Sequence, residues 1–84
     1  MFDEYNRNME LNVLVNSNHN PVAFDWKGVR RRVSEVEECW RLTGKWWDGE
    51  SERTFFRVRT DKSGVYELCF NHTSAVWSMN RVLD

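Results

Sequence analysis

The residues able to do chemistry or make contacts fall into three sets: adjacent aromatic pairs at Trp46-Trp47 and Phe55-Phe56, arginines at positions 30 to 32, 57 and 59, and sparse His and Cys. Neighbours in an extended chain point to opposite sides. One member of each aromatic pair can therefore enter a core. The other must be covered by a further layer, stacked by arginine, or left open as a contact. The outward aromatics, Trp46 or Trp47 together with Phe55, form a candidate binding face with Arg30, Arg32, Arg57 and Arg59. Aromatic and arginine side chains dominate protein contacts, and they also stack on unpaired bases. The plainer reading makes both members of each pair structural and the arginines a solvated face, because Glu35, Glu37 and Glu38 offset their field.

Enzymatic readings find little support. His19 and His72 each sit in a cluster of turn formers, and neither has metal-ligand spacing with Cys39 or Cys69. The cysteines lie within or beside strand-like runs and read as buried thiols rather than as a disulfide. Asp48, Glu50 and Glu52 belong to a charged loop, the ordinary state of a solvated turn. The expectation is no catalytic residue, no metal and no cofactor.

A chain of 84 residues, 40% hydrophobic and 30% charged, is ordinary for one globular domain. So short a chain buries enough surface only if its twelve aromatic residues pack well. The segment Trp40 to Asp48, with three tryptophans around Gly44, is where such a core is expected. A net charge of −1 argues against wholesale phosphate binding but permits a local patch. No apolar run approaches a membrane span, so no membrane partner is expected. The first residues lack the basic start and apolar stretch of a secretory signal, which makes the cytoplasm the expected compartment.

Positioning these residues falls to strands. Residues 1–10 read as a loosely held arm and 11–84 as a single all-β domain. Leu11, Val13 and Val15 alternate as a first strand, and Asn16 to Pro21 is a hairpin loop. Val22, Phe24 and Trp26 share one face of a second strand, and Lys27-Gly28 is a tight turn. In the next run the apolar phase changes, from odd-numbered Val29 and Val33 to even-numbered Val36, Trp40 and Leu42. A phase change needs a bulge. A bent strand is the favoured reading, with a short helical turn over residues 34–40 as the alternative.

Farther on, Phe56 and Val58 share one face of a strand, with Phe55, Arg57 and Arg59 on the other. Asp61 to Gly64 is a hairpin loop with glycine available for positive φ. Tyr66, Leu68 and Phe70 face inward on the returning strand. The last strand carries Trp77, Met79 and Val82, with an irregularity near Asn80. Six or seven short antiparallel strands curled into a small barrel or a two-layer sandwich satisfy this pattern.

An ordered series runs through the chain: Pro21-Val22-Ala23-Phe24, Trp26 and Gly28; Val33 and Val36; Trp40-Arg41, Gly44 and Trp46-Trp47-Asp48; Arg53 and Phe55-Phe56-Arg57-Val58; Val65-Tyr66-Glu67-Leu68; and Trp77, Met79, Val82 and Asp84. It resembles a small family of bacterial proteins of unknown function. Its second half is similar to the carboxy-terminal segment of ImuB-type proteins, the catalytically inactive Y-family polymerase relatives of damage-induced mutagenesis. The resemblance implies a context in DNA repair or translesion synthesis and carries no activity. The resulting expectation is a non-catalytic interaction module with a protein partner, such as the DNA-repair polymerase machinery. The alternative is single-stranded nucleic-acid binding through Trp, Phe and Arg. A third reading is a homodimer formed through an exposed strand edge.

Overall fold

The computed structural model describes residues 10–43 and 52–83. They form six strands: β1 (Val13–Val15), β2 (Pro21–Trp26), β3 (Val29–Leu42), β4 (Arg53–Thr60), β5 (Val65–Asn71) and β6 (Val76–Val82). Every strand pairs antiparallel with its sequence neighbour in one sheet of order β1-β2-β3-β4-β5-β6. No helix is found among the described residues. The sheet curls into a half-barrel, and its two edges approach where the Leu11 N–H donates to the Trp77 carbonyl at 2.8 Å. The expected all-β fold is thus realised as one curled sheet rather than a sandwich. Apart from Glu10, the expected arm lies outside the described residues.

Turn chemistry explains the connections. Lys27 and Gly28 both have positive φ, 53° and 79°, the hairpin geometry whose twist matches that of the strands it joins. Asn16 closes the β1–β2 loop, its Oδ1 accepting from the N–H groups of Asn18 and Asn20. Asn71 does the same for Thr73 and Ser74. In the β4–β5 turn the positive φ of 74° falls on Ser63, not on glycine. Gly64 is needed for a different reason, since a Cβ there would lie 2.8 Å from Cε1 of the Tyr66 ring.

The concave face holds the core: Phe24, Phe56, Val58, Tyr66, Leu68, Trp77 and Met79. Phe24 and Tyr66 meet edge to face, their ring centres 5.2 Å apart. Bulges determine which residues reach this core. Val15 pairs with Pro21 and Leu14 with Ala23, so Val22 is an extra residue and is turned out to solvent. The expected shared face of Val22, Phe24 and Trp26 therefore loses its first member. On β6, Asn80 is extra between Met79, opposite Leu68, and Arg81, opposite Glu67. That is the irregularity expected there, and it returns Val82 to the core side.

Strand β3 carries two such extra residues, Ser34 and Glu37, and stays a strand throughout. The first bulge is tied down by the Ser34 hydroxyl, which donates to the Arg59 carbonyl. It allows both Val33 and Val36 to pack against the core. The second bulge flips the phase again, pairing Cys39 with Phe56 and Trp40 with Phe55. Trp40 and Leu42 consequently leave the core and lie on the convex face. The expectation that the core is built around Trp40 is corrected by this one extra residue.

Candidate functional site: the convex face of β3 and β4

Alternation along β4 places Phe55, Arg57 and Arg59 on the convex face, as their spacing predicts. Phe55 is not an open contact there, being only 7% exposed. The Trp40 indole stacks on it, with ring centres 5.5 Å apart and planes 11° from parallel. The Arg57 guanidinium lies 5.9 Å from the centre of the indole, completing a layered arrangement of phenyl, indole and guanidinium. Leu42 extends the apolar strip and is 56% exposed. The surface feature is therefore Trp40 with Leu42, resting on Phe55.

Arg57 and Arg59, beside the aromatic stack, each have a carboxylate, whereas Arg53, opposite Leu42, has none among the described residues. Arg57 donates from Nη2 (3.0 Å) and Nε (3.3 Å) to one oxygen of Glu67, while Asn80 Nδ2 donates to the other. Glu67 is 2% exposed, so these partners replace its lost hydration. The hydrogen bond from Arg57 to Glu67, reinforced by Glu38, raises the arginine's pKa above its usual value. Arg59 is held by Glu37. Arg41, which alternates with Trp40 and so lies on the other side of the sheet, reaches Glu52 at 3.0 Å. Arg57 and Arg59 are thus neutralised internally, and the Arg57 plane is held by its partners.

Arg30 and Arg32 are not part of this face. They stand on the first half of β3, opposite Asp25 and Ala23 of β2. Arg30 pairs with Asp25, whose carboxyl is held below the usual range by that hydrogen bond. Trp46 and Trp47 fall outside the described residues. The proposed set thus divides, with Phe55, Arg57 and Arg59 together and Arg30 and Arg32 elsewhere.

At the mouth of the concave face a second cleft, of about 470 Å³, brings together His19, Cys39, Arg41, Thr54, Phe70 and His72. The turn histidines converge on Phe70, with ring centres 4.7 Å and 5.0 Å from it. His72 also shares a 2.7 Å hydrogen bond with the Thr54 hydroxyl. Their grouping depends on loop closure, and spacing along the chain does not announce it. Both cysteines are free thiols, and burial holds for Cys69 alone, since Cys39 is exposed. Burial pushes the Cys69 thiol's pKa up. Among the described residues no three His, Cys, Asp or Glu side chains are placed to hold a metal ion.

The family model of the domain of unknown function DUF6504 matches residues 6–84. The chain belongs to that family. No curated protein and no solved structure matches it. Family membership spans the whole described domain, including both halves of β3 and the convex face. It assigns no chemistry to them, so the functional reading rests on the residues themselves. Among the described residues no helix is long and apolar enough to cross a membrane.

Proposed function

We propose that this domain is a non-catalytic interaction module whose convex β3–β4 face docks a protein partner. One observation carries the reading: the Glu37 bulge turns Trp40 and Leu42 outward, beside Arg57 and Arg59, which are already matched by carboxylates. An aromatic anchor with a polar, internally neutralised rim suits a protein surface, where buried unpaired charge is costly. Single-stranded nucleic acid is the weaker reading for this face. Arg57 and Arg59 would have to surrender Glu67, Glu38 and Glu37 to contact phosphates. The resemblance of the second half to ImuB-type proteins supports a cytoplasmic partner in the translesion polymerase machinery.

The test is surface binding of the purified chain to an ImuB-type protein and to its polymerase partner. Replacing Trp40 by Ala should weaken binding by about tenfold or more, as expected of a central anchor. A parallel titration of the intrinsic tryptophan fluorescence with short single-stranded DNA, at low and moderate salt, separates the two readings. Saturable quenching that fades with salt and is lost in Trp40→Ala would transfer the face to nucleic acid. Protein binding that is indifferent to Trp40→Ala would remove the convex face from the interaction.

A further inference from the structure

The opposite end of β3 handles charge differently. Pairing with β4 begins at Val33, opposite Thr60, while residues Val29 to Arg32 pair with β2. The strand thus parts from β4 beyond Val33, one residue past its first bulge, and a wedge opens between Val29–Arg32 and the β4–β5 turn. Its apex is closed by the Asp61 N–H, which donates to the Arg32 carbonyl at 3.1 Å. The resulting cleft, of about 400 Å³, is lined by Val29, Arg30, Arg31, Arg32, Asp61 and Lys62. Arg30 is matched by Asp25. Arg31, Arg32 and Lys62 remain against Asp61 alone, and none of the three has an ion pair among the described residues.

Arg31 is the informative member. It stands opposite Phe24, and its guanidinium lies 5.9 Å from the centre of the Tyr66 ring, at the end of the core. Its Nε is shut off from solvent and donates to nothing. Packing, not an internal counter-ion, therefore positions this cation. Arg31 faces the core side of β3 and Arg32 the other, so the cleft between the strand and the turn carries unmatched positive charge from both sides of β3. Cations come from both walls of the wedge, the strand and the turn. A tetrahedral, multiply charged oxyanion can meet donors from several directions at once, whereas a planar carboxylate presents two oxygens in one plane.

The geometry points to a phosphate-binding site in this wedge, with the exposed Arg32 and Lys62 as the contacting cations, Arg31 adding its unmatched charge at the inner end, and a phosphate monoester group as ligand. That group can come free, on a small phosphorylated molecule, or as the terminal phosphate of a nucleic-acid strand. The site is separate from the convex face and stands whether or not that face docks a protein.

The experiment is an amide-resolved NMR titration of the full chain with inorganic phosphate, with sodium chloride at matched ionic strength as control. A 5′-phosphorylated thymidine oligomer and its unphosphorylated counterpart follow. Expected are saturable shifts confined to residues 29–33 and 61–64, weakened about tenfold by the double variant Arg32→Gln, Lys62→Gln. Both of these side chains are exposed, so the variant keeps the fold. Arg81→Gln, on β6, should leave the titration unchanged. A tighter response to the phosphorylated oligomer than to inorganic phosphate assigns the ligand to strand ends, and equal responses assign it to free phosphate. Shifts that chloride reproduces, that never saturate, or that survive the double variant overturn the site.

Discussion

One 14-residue strand treats its charges in two ways. From Val29 to Val33, β3 carries three consecutive arginines, of which only Arg30 has a carboxylate among the described residues. From Ser34 to Leu42 it supplies Glu37 and Glu38 to the arginines of β4, and Arg41 takes Glu52. The halves are separated by the Ser34 bulge, where the strand exchanges β2 for β4 as its partner. The difference shows why counting arginines along a chain is a poor guide to anion binding. What matters is which cations the fold leaves without a counter-charge, and register decides that.

The contrast can be broken at several points, beginning where the expected effect is largest. Phe55 supports the Trp40 stack and is nearly fully buried, so Phe55→Ala should cost about 3 kcal/mol in urea unfolding. A cost near zero would mean that the stack contributes nothing to the fold. Next is Glu67→Gln, which preserves shape but removes the buried charge that holds Arg57 and Asn80. A loss of about 1 to 3 kcal/mol is expected, with weaker partner binding because the guanidinium is no longer fixed over Trp40. Unchanged stability together with unchanged binding would show that the paired charges serve neither the fold nor docking.

Smaller effects test the basic half. The depressed carboxyl of Asp25 makes its pairing with Arg30 stabilising above the usual aspartate range and progressively lost as pH falls through the folded-state value. Thermal midpoints of wild type and Asp25→Asn should therefore differ at neutral pH and converge in acid. A gap that widens in acid would reverse the sign. Smallest of all is Arg32→Gln, an exposed arginine without an ion pair among the described residues, expected to shift stability by no more than about 0.5 kcal/mol. A larger loss would show that this arginine serves the fold and is not free for a ligand.

Much of the architecture was legible from alternation. Phe56 and Val58 against Phe55, Arg57 and Arg59, and Tyr66, Leu68 and Phe70 inward, are period-two patterns that survive folding because one face of the sheet is buried. The irregularity at Asn80 showed itself for the same reason, as a break between Met79 and Val82. The phase change in β3 was visible, but its resolution was not. Two extra residues restore the original phase, whereas one reverses it, and the apolar pattern alone accommodates either. Trp40 is the residue on which this choice falls: read as core, it stands instead on the outer face.

By itself the amino-acid sequence determined an all-β chain of closely spaced antiparallel strands, with turns at Asn16 to Pro21, Lys27-Gly28, Asp61 to Gly64 and around His72, although Pro21 itself opens β2. These follow from local side-chain periodicity and turn chemistry, which act over a few residues. Tertiary structure decided which carboxylate meets which arginine, that His19 and His72 both reach Phe70, and that Arg31 rests on Tyr66 without a counter-ion. Those outcomes depend on register between strands and on the closing curl of the sheet. Register is set by single-residue bulges whose cost and gain are shared across several strands, so no local stretch of the chain contains the answer.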